Sequence, residues 1–435
     1  MLSRRRFLSL GSLAAGLTAV PAIGRAQTSP SPALPPSIAA LASMKHLARP
    51  ITNQERSARM EKARRLMVGA HMDAILMIGG TTLDYFSHIN WWNSERLFVM
   101  VLPAKGEPFF VCPAFEEGRA REQIAAGPVG ERADVRTWQE DEDPYALVAL
   151  GLRDRGVATG TLGIEERVTF VFSDGIAKAA PSLRLVSATP VTAGCRMVKD
   201  AHEIELLRLA SKVTLTAYAA AHRALHDGLT QDQFAGLVAS AHARLGFAGG
   251  AGAQVGEFSA LPHGSITPQV IRDGSVVLMD GGCSVEGYAS DISRTFVLGK
   301  ATAKMKQVFD IVHRAQKAAV DTARPGLPPE AVDGAARQVI ADAGYGPAFK
   351  YFTHRVGHGL GMDGHEWPYL VRNNMFGWTR SLPLEAGMTF SDEPGIYLRG
   401  EFGVRLEDDL LITDRGAELL TPQSPSIEDP FAGVL

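Results

Sequence analysis

The rhythm of apolar and polar positions changes along the chain and marks out its elements. Arg56–Gly69 mixes charged and apolar residues as an amphipathic helix does, Asp73–Ile78 is apolar, and Arg96–Leu102, Pro108–Val111 and Thr161–Ile164 are short strand-like runs. Such runs alternate from Glu55 to about Ala180, which predicts an α/β domain, and no glycine-rich phosphate loop interrupts them. After Pro190–Lys199 the pattern turns to long helices. Asp200 with Glu203, and Thr230 with Gln233, form the capping-box signature of a helix start.

The second half repeats itself. A helix opened by Gly228-Leu229-Thr230 ends at Gly246-Phe247, and another opened by Gly326-Leu327-Pro328 ends at Gly344-Tyr345, an offset of 98 residues at both ends. Each follows a longer helix, Asp200–Leu225 or Thr302–Ala323, and each precedes a strand pair. The first pair is Ser275–Met279 with Tyr288–Val297, and the second is Met388–Ser391 with Val404–Thr413. The expected fold is therefore α+β: a duplicated helix-helix-hairpin domain after a smaller α/β domain.

Composition narrows the classes. The 435 residues, 46% hydrophobic, suffice for two domains or more, and a net charge of -3 leaves no basic footprint for nucleic acid. Cys112, Cys195 and Cys283 cannot all pair and lack zinc spacing, so any metal must be held by oxygen and nitrogen. Ser3-Arg4-Arg5-Arg6-Phe7-Leu8, an apolar run to Gly24 and a small-residue cut at Gly24-Arg25-Ala26 resemble a twin-arginine export signal. Gly11, Gly16 and Pro21 break that run, and it is too short for a membrane span. The expected layout is a signal over residues 1–26, a linker over 27–50 containing Ser29–Pro36, an N-terminal domain over 51–192 and a second domain over 196–435, with the mature chain in the periplasm.

Candidate chemistry starts at Asp280 and Asp291, which flank a small-residue turn containing Gly281, Gly282 and Gly287. In a plain hairpin they are a facing pair, and two facing carboxylates repel unless a cation joins them. A bulge placing one on each face, or two solvated turn residues, fits that stretch equally well. In the second hairpin Glu393 precedes Pro394, and Glu407 shares its strand parity with Arg405 and Asp409, so both glutamates can face the aspartates. The Thr353–Gly361 run, read as extended chain, puts His354, Val356, His358 and Leu360 on one side and Gly357, Gly359 and Gly361 on the other. His365 follows closely, and His263 comes after Leu261-Pro262. His46, His202, His222 and His313 lie in helical or linker contexts and are expected to be exposed. Trp91 and Trp92 beside Arg96 suit a core position, a substrate wall or a subunit contact.

These residues resemble a known family. Asp280, Asp291, Val356–Gly361, Glu393-Pro394-Gly395-Ile396-Tyr397 and Val404-Arg405-Leu406-Glu407-Asp408 look like the pita-bread metallopeptidases of family M24, the Xaa-Pro aminopeptidases and prolidases. The similarity runs from Arg196 to about Pro422, and the N-terminal domain more weakly resembles a creatinase-type domain. The resemblance implies that Asp280, Asp291, His358, Glu393 and Glu407 hold two divalent ions bridged by a nucleophilic hydroxide. Manganese leads by family precedent, with zinc, cobalt and iron also suited to carboxylate-rich ligation. It further implies that His263, His354 and His365 bind substrate and handle protons, with His365 facing the oxyanion. Glu393 would also carry a proton to the leaving nitrogen, and Tyr397 and Arg405 would support the site. The implied substrate is a short proline-containing peptide cut at its Xaa-Pro bond, and relatives assemble as homodimers or larger. Gly364 stands where relatives carry a larger apolar residue, which opens the pocket beside His365. The competing reading is a same-fold lyase or hydrolase of a small non-peptide substrate.

Overall fold

The computed structural model describes residues 33–372 and 382–434. It divides into residues 1–35 and residues 36–435, and all that follows concerns the second unit. The twin-arginine segment lies outside the described residues.

The N-terminal half is one mixed sheet with helices on both faces. Its strands are β1 (Ala74–Ile78), β2 (Val99–Pro103), β3 (Phe109–Pro113), β4 (Asp134–Trp138), β5 (Gly160–Ile164) and β6 (Leu183–Ser187), in the order β4-β3-β2-β1-β5-β6. The helices on it are α2 (Asn53–Gly69), α3 (Thr81–Ser87), α4 (Glu117–Ala126), α5 (Pro144–Asp154), α6 (Phe170–Ala179) and α7 (Thr189–Met197), and the short α1 (Pro36–Ala39) precedes them. Alternate residues of the central strands enter opposite cores. Ile75, Met77, Met100 and Phe110 pack with α2, α3, α4 and α7, whereas Leu76, Val99, Val101 and Phe109 pack with α5 and α6. Burial on both sides is why these strands are apolar throughout instead of alternating. The edge strands β4 and β6 carry polar residues, and no apolar run betrays them in the sequence.

Residues 36–50 depart from the linker expectation. Ile38 is fully buried, Ser37 Oγ donates to Ala220 O at 2.8 Å, and Met44 N donates to Leu245 O at 2.8 Å. The segment is a strap on the C-terminal half. Trp91 is core, stacked on Phe98 with centroids 4.0 Å apart, whereas Trp92 is exposed.

The C-terminal half opens with α8 (Ala201–His222) and α9 (Gln231–Leu245), both starting in the expected capping boxes. An antiparallel sheet β10-β8-β7 follows, built from β7 (Gly249–Val255), β8 (Val276–Val285) and β10 (Ile292–Val297), with β9 (Tyr288–Ala289) on the end of β8. The repeat brings α10 (Ala303–Thr322) and α11 (Pro329–Ile340). Then come β11 (Gly357–Gly359), β12 (Glu366–Leu370), β13 (Thr389–Asp392), β14 (Gly395–Leu398), β15 (Phe402–Arg405), β16 (Asp408–Thr413) and β17 (Gly416–Leu419). Five of these form the sheet β12-β11-β13-β16-β17, and β14 pairs with β15. The architecture is a creatinase-like N-terminal domain followed by a duplicated pita-bread domain.

Two details of the hairpins differ from expectation. The first turn is Glu286-Gly287, both at positive φ (49° and 89°), as a two-residue type I′ turn requires. That puts Asp280 opposite Ser293, so Asp280 and Asp291 are diagonal neighbours and not a facing pair. A shift of two residues preserves strand parity, and both acids stay on one face. The second hairpin is interrupted. Its register runs from Thr389↔Leu411 to Asp392↔Asp408 and resumes at Gly395↔Arg405, leaving Glu393-Pro394 and Leu406-Glu407 outside the strands. Proline cannot donate to a ladder, which accounts for one side of the break.

The histidines expected to be exposed split. His46 is exposed and His313 half-buried, but His202 bonds Glu55 Oε1 at 2.7 Å and His222 packs edge-on to Phe296 with centroids 4.8 Å apart. Each sits on the inward side of α8, which a charge-based reading cannot distinguish from the outward side.

Candidate metal centre

Each expected ligand reaches the site from a different backbone feature. Asp280 lies within β8, Asp291 just before β10, His358 in the middle of β11, and Glu393 and Glu407 in the break of the second hairpin. At that break the free backbone groups cross to other elements: Glu393 N donates to Val356 O at 2.7 Å and Glu407 N to Ser293 O at 3.1 Å. The glycines behind His358 have a steric function. A Cβ on Gly357 would overlap the Ser391 carbonyl, one on Gly359 the Trp367 carbonyl, and one on Gly361 the Glu366 carboxylate.

These side chains share a cavity of about 340 Å³ lined by His263, Asp280, Asp291, His354, Arg355, His358, His365, Glu393, Arg405 and Glu407. Of the candidate residues only Tyr397 stands behind the wall, where its hydroxyl bonds His354 Nε2 at 2.6 Å. His358 Nε2 is 3.4 Å from Glu393 Oε1 and 3.8 Å from Asp291 Oδ2. Arg405 Nη2 is 2.7 Å from Asp280 Oδ2, and the Ser293 hydroxyl lies 2.7 Å from both Asp280 Oδ1 and Glu407 Oε2. His365 stacks on His358 with ring centroids 3.6 Å apart. His263 and His365 are the exposed members.

The electrostatics are those of a cage short of positive charge. Burial would raise the Asp280 carboxyl, but Arg405 and Ser293 outweigh it and hold it below the ordinary value. For the other acids the pull of Arg405 is outweighed. Burial, then the charges of Asp280, Asp409 and Glu393, drives Asp291 well above the usual range. Burial, then Asp291 and Glu393, does the same to Glu407. Burial lifts Glu393 to about 8. Burial and the neighbouring His365 push His358 down to about 3, so its imidazole is neutral. His358 Nδ1 lies 3.2 Å from Gly359 O, and the proton on Nδ1 leaves the Nε2 lone pair aimed at the acids. Ligand atoms of Asp280, Asp291 and Glu407 lie within 4.8 Å of one another, as do those of His358, Glu393 and Glu407, and those of Asp291, His358 and His365. Four carboxylates, one guanidinium and a correctly turned neutral imidazole fit divalent cations.

Sequence reasoning passed over the supports. Asp409 is fully buried, accepts from Ser211 Oγ at 2.9 Å and lies 3.3 Å from the Asp291 backbone N–H, while burial lifts its carboxyl to about 8. It shares strand parity with Arg405 and Glu407, and that alternation was the available signal. Ser293 bridges acids from both hairpins, and nothing local to Ser293 announces it.

A buried cage of acids with one imidazole, at the seam of a duplicated domain, defines a metallohydrolase-type site. Comparison with known proteins agrees: residues 205–414 match Metallopeptidase family M24, and residues 59–198 match the Creatinase/Prolidase N-terminal domain. The chain belongs to metallopeptidase family M24. It is 36% identical to the probable dipeptidase PepE of Mycobacterium tuberculosis over 82% of this chain and 93% of that one. It is 32% identical to an Xaa-Pro dipeptidase of Lactobacillus delbrueckii over 82% and 95%. The crystal structure of dipeptidase PepE from Mycobacterium ulcerans superposes with a TM-score of 0.80 at 34% identity, covering 87% of this chain and 99% of that one.

Proposed function

We propose that the protein is a dinuclear metal-dependent exopeptidase that hydrolyses the Xaa-Pro bond of short peptides. The observation that carries this is the cage: Asp280, Asp291, His358, Glu393 and Glu407 converge on one cavity in a chain whose relatives include dipeptidases. Two divalent ions held by these five residues would supply an activated water and polarise the scissile carbonyl, with manganese the first choice. Glu393, 3.4 Å from His358 Nε2 in the cavity wall, would receive the proton of the attacking water and deliver it to the leaving imino nitrogen. His365, held on the face of His358, donates to the developing oxyanion. His354, fixed by Tyr397 and pushed down to about 3 by burial and Arg405, offers a neutral ring to the substrate, and exposed His263 receives it from the other side. Arg405 holds Asp280 in its ionised form and does not itself react.

The test is residue release from Xaa-Pro dipeptides and Xaa-Pro-Yaa peptides, with manganese, zinc, cobalt or iron and after chelation. Metal-dependent release is expected, and no release under any metal sinks the proposal. Export by residues 1–26 is part of the same reading, supported by the paired arginines, and a purely cytoplasmic pool on fractionation would refute it. A homodimer or higher homo-oligomer is expected too, supported by exposed Trp92 and Phe115 on the N-terminal domain, and a monomeric sedimentation coefficient would exclude it.

A further inference from the structure

The segment from Gly361 to Glu366 carries His365 into the catalytic cavity, yet what fastens it comes largely from the N-terminal side of the chain. Asp363 accepts from Thr81 Oγ1 at 2.7 Å and pairs with Arg167 at 2.8 Å and Arg196 at 2.7 Å. Glu366 pairs with Lys199 at 2.7 Å and again with Arg196. Arg196, in the last turn of α7, is the residue that grips both acids, and its side chain is only 11% exposed. His365 bonds neither acid: its ring lies on His358, and its Nδ1 is 3.3 Å from Arg355 Nη2. Gly361 makes the arrangement possible, because a side chain there would occupy the space of the Glu366 carboxylate.

We propose that Arg196 is a positioning residue for the peptidase reaction. By tying Asp363 and Glu366 on either side of His365, it fixes the backbone that presents this imidazole to the cavity. The last turn of α7 thereby sets turnover without touching the substrate. The inference rests on the role given to His365 above. Without the guanidinium, Asp363 and Glu366 lose their shared counter-charge and keep Thr81, Arg167 and Lys199 as separate partners. The segment then relaxes and the His365 ring leaves its stack. A displacement of about 1 Å in a reacting group costs roughly 100-fold in rate, which sets the scale of the expected effect.

The decisive measurement is a double-mutant cycle on the metal-loaded enzyme. Arg196→Ala should lower kcat by about 10- to 100-fold with a smaller change in KM and unchanged metal content, and Arg196→Lys or added guanidinium should restore part of it. In a His365→Ala background the same substitution should cost less than about twofold, because its effect passes through His365. Equal losses in both backgrounds, or a loss confined to KM, would overturn the proposal. A readout independent of turnover is the rate at which diethylpyrocarbonate modifies His365, followed by mass spectrometry. It should rise several-fold in Arg196→Ala, and an unchanged rate refutes the clamp even if the peptidase reading fails. Should Arg196→Ala prove insoluble, Asp363→Asn enters the same cycle, with the same outcomes deciding.

Discussion

Stripping the metal should make stability depend on pH in a direction that ordinary proteins do not show. In the metal-free cage Glu393 titrates at about 8 because burial opposes its charge, against an ordinary value of 4.5. A carboxyl raised by folding binds its proton in the folded state and releases it in the unfolded state throughout that interval. Stability contributed this way is present at low pH and is lost as pH rises from 4.5 to 8. At 1.36 kcal/mol per unit, Glu393 alone accounts for about 5 kcal/mol across the window, which is about 6 °C of melting temperature for a chain this size. Asp291 and Glu407 are shifted the same way and add to it. Bound divalent cations remove the effect, because they satisfy the ionised carboxylates. Calorimetry between pH 5 and 8, with and without chelator, should therefore show a gap between metal-loaded and metal-free protein that widens with pH. Groups remote from the cage titrate alike in both forms and cancel in that difference. Glu393→Gln should narrow the gap at pH 8. Parallel curves for the two forms would show that the cage acids are not jointly buried and ionised, and would refute the reasoning.

Asp291→Ala should lose at least one equivalent of metal by elemental analysis, and an unchanged stoichiometry would show that Asp291 is not a ligand. Arg294 and Asp408 form a fully buried ion pair at 2.6 Å, so Arg294→Met should cost about 3–5 kcal/mol in urea unfolding, and an unmoved midpoint contradicts that. Gly357→Ala drives a methyl group into the Ser391 carbonyl behind His358; a loss of about 1–3 kcal/mol with weakened metal binding is expected, and calorimetry with metal titration checks both.

How much of this was written in the sequence depends on whether the signal is local. The acids of the cage were legible because each sits beside a marker with its own physical cause: small-residue turn for Asp280 and Asp291, proline for Glu393, alternation for Glu407, glycine backing for His358. The register of the first hairpin was not legible, since Glu286 in a left-handed conformation carries no turn signature of its own. Parity rescued the conclusion, because a slip of two residues leaves both aspartates on the same face. The strap over residues 36–50, the inward turn of His222 and the grip of Arg196 on the His365 segment were invisible for a common reason. Each is a contact between residues far apart in sequence, and composition around either partner is silent about the other.

The contrast between the two hairpins explains how a duplicated unit comes to hold one site. The first ladder is continuous past Asp280, so that acid is placed by its own strand pairing. The second is broken where its two glutamates sit, and the backbone N–H groups of those glutamates bond Val356 and Ser293 outside the hairpin. Glu407 is therefore registered against the first hairpin through Ser293 O, and Arg294 completes the seam by donating to Glu407 O at 2.7 Å. The Ser293 side chain then spans Asp280 and Glu407. The distance between acids of different halves is thus fixed by hydrogen bonds across the pseudo-symmetric seam, and the second half alone lacks the partners that hold its glutamates in place.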